Sequence, residues 1–165
     1  MPSLLMEALL LMVIKQNFLP KDCLARPGLP LNRPTSITIH WVGPYPGQTP
    51  EVVRNWWIQS KGEAGAHYIV KDNNVLQCIP EQEVAWHCGC HGNYSSIGIE
   101  VIPFNKEGLF SQASIDSVIE LLKRLPKVRL MRHYDWTKKD CPRYYIDEKR
   151  WTALYKELDL GRKEI

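Results

Sequence analysis

Apolar and polar positions alternate in several short runs along this chain, and segments with helical spacing lie between them. The run Ser36-Ile37-Thr38-Ile39-His40 predicts a strand over 37–40 that ends on a histidine. Thr49-Pro50-Glu51 then reads as a helix start: threonine caps, proline takes the first position, and an acid sits in the first turn. That helix is expected to run through Trp56-Trp57-Ile58 and stop by Gly62. Residues Ala66 to Val70 and Val75 to Ile79 read as two strands joined by a turn at Asp72-Asn73-Asn74. A loop from Pro80 to Ser96 carries Trp86, His87 and His91, with Gly89 and Gly92 to bend it. Ile97 to Ile102 is the next strand, in which Gly98 permits close backbone approach. Ile115, Val118, Ile119, Leu122 and Leu125 fall at helical spacing and predict a helix from about Gln112 to Leu125, ended by Pro126. A short strand over Lys127 to Met131 follows. A last helix, Asp147 to Leu158, puts Trp151, Leu154, Tyr155 and Leu158 on one face. Strands and helices interleave, so the class is α/β or α+β, with a central mixed β-sheet flanked by helices.

Composition narrows the picture without redirecting it. The 165 residues suffice for one domain, read as 1–165 with its core at about 36–158, and show no repeat, low-complexity tract or internal linker. A hydrophobic share of 44% and a charged share of 24% are those of an ordinary globular chain. A net charge of +3 falls short of a nucleic-acid-binding signal, though it suits an anionic polymer. Met1 to Ile14 is apolar but holds Glu7. It is too short to span a membrane and lacks the basic region and cleavage site of a signal peptide. It reads as an extra segment or a first strand on the domain. Five irregularly spaced cysteines fit reduced thiols better than a disulfide framework. Cys88-Gly89-Cys90-His91 has a one-residue gap, which is not a usual zinc spacing.

The stretch Arg132 to Pro142 concentrates the chemistry. His133 and Cys141 lie eight residues apart, with Lys139 two residues before the thiol. Zinc takes nitrogen and sulfur ligands of this kind, and a catalytic site usually has three protein ligands. His40, at a strand end, is the best candidate for the third, although two histidines and a cysteine also occur together by chance. Glu100 is the odd residue in an apolar strand. Alternation places it on one face with Gly98 and Ile102, where it is either a solvent-facing acid or a general base for metal-bound water. Lys139 is either a solvated lysine or a cation that stabilises an oxyanion. His67 and His87 either bind substrate or make structural hydrogen bonds. Trp86 is the tryptophan expected to face a sugar or peptide, while Trp56, Trp57, Trp136 and Trp151 read as core.

Five segments, taken together, resemble a known family. They are Ile37-Thr38-Ile39-His40, Ala66-His67-Tyr68-Ile69-Val70, Val84-Ala85-Trp86-His87, Ser96-Ile97-Gly98-Ile99-Glu100 and His133 through Pro142. In their order and spacing the chain resembles the zinc-dependent N-acetylmuramoyl-L-alanine amidases of the phage-lysozyme and peptidoglycan-recognition-protein type, especially endolysin catalytic domains. The resemblance implies a mixed sheet flanked by helices with zinc at the floor of a groove. It implies His40, His133 and Cys141 as metal ligands and Glu100 and Lys139 as catalytic groups; His67, Trp86 and His87 stand beside them as the substrate-binding candidates read from the residues. Some members carry a catalytic tyrosine where this chain has Ala66, which places it in the subgroup relying on Glu100. The implied partner is bacterial peptidoglycan, cut between muramic acid and L-alanine by a protein made in the cytoplasm and acting on the wall. No nucleic acid or membrane span is implied, and oligomeric state is not legible. No separate wall-binding domain is seen. A non-catalytic peptidoglycan-binding module of the same fold is the rival, and such members typically lose the cysteine that is present here as Cys141.

Overall fold

The computed structural model describes residues 12–61 and 64–164. Its strands are β1 (Ile14–Gln16), β2 (Ser36–Trp41), β3 (Tyr68–Lys71), β4 (Asn74–Gln77), β5 (Ser96–Val101) and β6 (Arg129–Arg132). They form one mixed sheet in the order β1-β4-β3-β5-β2-β6, in which only β3 and β4 pair antiparallel. The α-helices among the described residues are α1 (Pro50–Gln59), α2 (Gln112–Arg124), α3 (His133–Thr137) and α4 (Glu148–Lys163). None of them is long and apolar enough to cross a membrane. Residues 1–11 of the apolar N-terminal segment lie outside the described residues, as does Gly62; Ile14–Gln16 is an edge strand beside β4.

The period-2 alternation sorts each strand between two cores. Ile37 and Ile39 of β2, and Ile97, Ile99 and Val101 of β5, pack beneath α2 and α4 with Val118, Leu122, Trp151 and Leu154. The opposite face meets α1 through Ile69, Leu76, Val53 and Trp57. Thr38, His40, Gly98 and Glu100 therefore share the α1 side of the sheet. Thr49 caps α1 as expected, its hydroxyl accepting from the Val52 N–H at 3.3 Å. The β3–β4 hairpin turns at Asp72, which adopts a positive φ of 48°.

Sequence periodicity does not reveal the loop from Arg132 to Glu148, because a buried guanidinium organises it. Arg132, 5% exposed in its side chain, donates to Asp135 at 2.7 Å and to Glu148 at 2.8 Å. It also donates to the Tyr145 and Ile146 carbonyls at 3.0 and 3.2 Å. Asp135 accepts from the Arg132 backbone N–H at 2.7 Å, which closes the first turn of α3. The Tyr134 N–H donates to the Cys141 carbonyl at 2.8 Å, so the loop returns over the start of α3.

His67 does not reach the groove expected of it. It is fully buried, and both ring nitrogens are spent on backbone. The Gly98 N–H donates to its Nδ1 at 2.9 Å, and its Nε2 donates to the Glu83 carbonyl at 2.8 Å. The correction follows from position: His67 precedes β3 by one residue and points into the sheet's second core, where it ties the 80–90 loop to β5.

Burial holds the His67 pKa down to about 4, against the smaller opposing pull of the Glu83 carbonyl and carboxylate. A depressed histidine favours the neutral folded form. Its contribution is therefore complete above about pH 6.5, the unfolded value, and is lost as pH falls toward 4. In urea titrations the stability gap between parent and His67→Gln should be widest at pH 7 and shrink by on the order of 3 kcal/mol by pH 4; a pH-independent gap would contradict the assignment. Arg132→Ala should cost about 2 kcal/mol of unfolding free energy, because two carboxylates and two carbonyls lose their donor while the acids still reach water. Arg132→Lys should not restore it, since an ammonium does not match a forked, four-partner site; parental urea midpoints in both variants would contradict this.

Candidate active site

The parallel registers bring the chemical groups together. His40 lies opposite Glu100 across the β2–β5 ladder, and Ile39 lies opposite Arg132 across β2–β6, so His133 follows directly beside the end of β2. The carboxyl ends of three parallel strands thus meet at one point, the usual place for a site in open α/β sheets. His40 Nδ1 stands 3.1 Å from His133 Nδ1 and 3.6 Å from Cys141 Sγ. One donor atom from each of the three residues lies within 4.8 Å of the others, and all three residues are buried. Tetrahedral zinc bonds of the usual lengths place two nitrogens about 3.3 Å apart and a nitrogen and a sulfur about 3.6 Å apart. The two edges at His40, 3.1 and 3.6 Å, lie close to these, and the third donor pair is within 4.8 Å, so the donor set fits that ion.

The electrostatics point the same way. Burial holds His40 well below its ordinary pKa, with His87, His133 and Lys139 adding to the effect. Burial, then Lys139, brings His133 down to about 4. Both imidazoles are thus neutral and available as ligands. Burial and the nearby Glu100 push the Cys141 thiol up, so a thiolate there needs a cation beside it.

Glu100 faces this cluster. Its Oε1 is 3.9 Å from His40 Nδ1, and its Oε2 is buried with no hydrogen-bond partner. Burial pushes the carboxyl up to about 8 against the pull of the Lys139 ammonium. An unpartnered buried carboxylate oxygen is costly, and strongly shifted groups gather at functional sites. The groove around it holds about 410 Å³ and is lined by Trp86, Gly43, Gly65 and Lys139 as well as the cluster itself. Lys139 is exposed at its rim, and Trp86 is half-buried in its wall.

His87 also lines the groove, but its nitrogens face protein rather than open space. Nδ1 lies 2.9 Å from His40 Nε2, and Nε2 lies 3.1 Å from the Ser96 carbonyl. His87 thus lines the groove with its ring nitrogens turned to His40 and the Ser96 carbonyl. Asn93, which no sequence signal singles out, holds this loop: its Oδ1 accepts from the N–H groups of His87 and Cys88 at 3.0 and 2.8 Å. Gly98 is the other hidden participant, since a Cβ there would lie 2.6 Å from the His87 ring. The five cysteines are free thiols, with Cys88 and Cys90 sulfurs 3.0 Å apart.

Comparison with known proteins identifies the family. The family model described as N-acetylmuramoyl-L-alanine amidase matches residues 30–144. A probable N-acetylmuramoyl-L-alanine amidase of Bacillus licheniformis is 32% identical over 90% of this chain, which spans 48%, about half, of that relative's length. The solved catalytic domain of XlyA superposes with a TM-score of 0.76 at 27% identity, covering 88% of this chain and 99% of that one. A mutant endolysin from Bacillus subtilis superposes with a TM-score of 0.74, also at 27% identity, covering 89% and 99%. A family match over more than half of the sequence, joined to a 32% identical relative, shows that the chain belongs to the N-acetylmuramoyl-L-alanine amidase family.

Proposed function

We propose that this chain is a zinc-dependent amidase that hydrolyses the bond between the lactyl carbonyl of N-acetylmuramic acid and L-alanine in bacterial peptidoglycan. The observation that carries the reading is the convergence of His40, His133 and Cys141 donors beside the unpartnered carboxylate oxygen of Glu100. His40 Nδ1, His133 Nδ1 and Cys141 Sγ are the atoms that would hold zinc, which when bound would supply Lewis-acid polarisation, a more acidic water and a positive charge that favours the ionised form of Glu100. Glu100 accepts the proton of the attacking water through its free oxygen and returns it to the leaving L-alanine amine. One C–N bond breaks, one C–O bond forms, and the products are a lactyl carboxyl group and a free amine. The Lys139 ammonium, at the same rim, is placed to stabilise negative charge on the carbonyl oxygen. Trp86 offers an apolar wall for the sugar or the peptide.

The amidase domain is read as residues 1–165, with its core at about 36–158. Likeness to a solved endolysin supports an endolysin role, in which a protein made inside a bacterial cell acts on its wall. Retention of Cys141, with its sulfur facing both histidines, favours an enzyme over a peptidoglycan-binding module.

Metal analysis should find about one zinc per chain, and Cys141→Ser should lose most of it. Loss of the metal from Cys88 and Cys90 variants, with Cys141→Ser still loaded, would place it elsewhere. Glu100→Gln keeps size and shape but removes the proton acceptor. It should retain zinc and wall binding while releasing new L-alanine amino termini about 10²–10⁴-fold more slowly. Near-parental release by the fully loaded variant would remove Glu100 from the mechanism.

A further inference from the structure

A line of hydrogen bonds runs from β5 to the metal ligands, and its direction is set at one end. The Ser96 carbonyl can only accept, so the His87 Nε2 at 3.1 Å must carry the proton. A neutral imidazole has a single N–H, which leaves His87 Nδ1 as an acceptor. His87 is 7% exposed, and its hydrogen-bonding neighbours are an uncharged carbonyl and an uncharged ring, so nothing there offsets a second ring proton. His40 Nε2, 2.9 Å away, must then donate. The lone pair of His40 is thereby left on Nδ1, the atom that faces His133 Nδ1 at 3.1 Å and Cys141 Sγ at 3.6 Å.

The ring of His87 is seated firmly enough to impose this. It lies on the bare backbone of β5 at Gly98, where a Cβ would come within 2.6 Å of its Cγ. The loop behind it is pinned by Asn93, whose Oδ1 receives both the His87 and Cys88 N–H groups. Its ring plane stands at 89° to that of His40, with Nδ1 2.9 Å from His40 Nε2.

We propose that His87 is a positioning residue: by accepting the His40 Nε2 proton, it fixes His40 in the tautomer and orientation whose Nδ1 binds metal. The inference rests on the zinc site described above, and it assigns His87 a role through His40 rather than at the substrate. Partners of this kind, outside the ligand shell, typically change metal affinity by about 10- to 100-fold when removed.

The test reads the hydrogen bond and the metal separately. In the ¹⁵N-labelled, metal-free chain near pH 7, ring-nitrogen NMR should show protons on His40 Nε2 and His87 Nε2. It should also show a scalar coupling across the N–H···N bond between His40 Nε2 and His87 Nδ1. A proton on His40 Nδ1, or no coupling, would overturn the proposal whatever any variant does. Zinc competition with a chromophoric chelator then measures the consequence. His87→Leu removes the acceptor and should weaken zinc about 10- to 100-fold. His87→Asn, which sets a carbonyl oxygen near the Nδ1 position, should recover most of that loss. Parental affinity in a folded His87→Leu protein, or equal weakening in both folded variants, would overturn it. A parent chain that binds no zinc while showing the coupling would instead refute the metal reading, so the two failures are distinguishable.

Discussion

Parallel pairing of β2 with β5 on one side and β6 on the other is the constraint on which the site depends. His40 sits opposite Glu100, and the chain leaves β6 at Arg132 directly into His133. Side chains alternate along a strand, so a slip of one residue would carry His40 or Glu100 to the opposite face, among Ile37, Ile39, Ile97 and Ile99 under α2 and α4. The apolar positions of β2 and β5 thus fix the chemistry indirectly. By committing one face to the core, they commit the other to the cluster.

The loops supply what the strands cannot. Cys141 reaches the histidines because Arg132 gathers Asp135, Glu148 and two carbonyls around itself, and because Tyr134 bonds back to the Cys141 carbonyl. On the other side Arg26 grips Glu83 at 2.6 Å, and the Glu83 carbonyl receives His67. Nearly every buried polar group described here has a partner. The Oε2 of Glu100 is one of the few exceptions, and leaving such an atom unpaired costs about 1–3 kcal/mol. Ser36 Oγ and Asn74 Oδ1 are also unpaired, but of the three only Glu100 lines the groove beside His40, His133 and Cys141.

Much of this architecture was legible in the sequence. The Ser36–His40 alternation, the Thr49-Pro50 cap, the turn at Asp72 and the helical spacing from Ile115 to Leu125 each appear close to where they were expected. The α3 helix was not legible, because five residues carry no period and their turn is held by Arg132 and Asp135. The last helix was expected to end at Leu158 but continues to Lys163. Asp159 pairs with both Arg162 and Lys163 there, and Gly161 lets Ile119 pack against the helix backbone. The histidines show the limit most clearly. His40, His67 and His87 look alike in sequence. Their roles are decided by which atoms they meet: facing donors at His40, two backbone groups at His67, and a carbonyl and a ring at His87.

On the proposed reading this groove cleaves an amide rather than a glycosidic bond, and mass spectrometry of the soluble fragments released from purified cell walls by the zinc-loaded chain separates the two. Amide cleavage should release stem peptides that begin with a free L-alanine amine, together with glycan strands whose muramic acid lactyl groups end in free carboxylates. Each such pair would together be heavier by one water than the linked material. Fragments with new reducing sugar ends and intact muramyl–alanine linkages would contradict it.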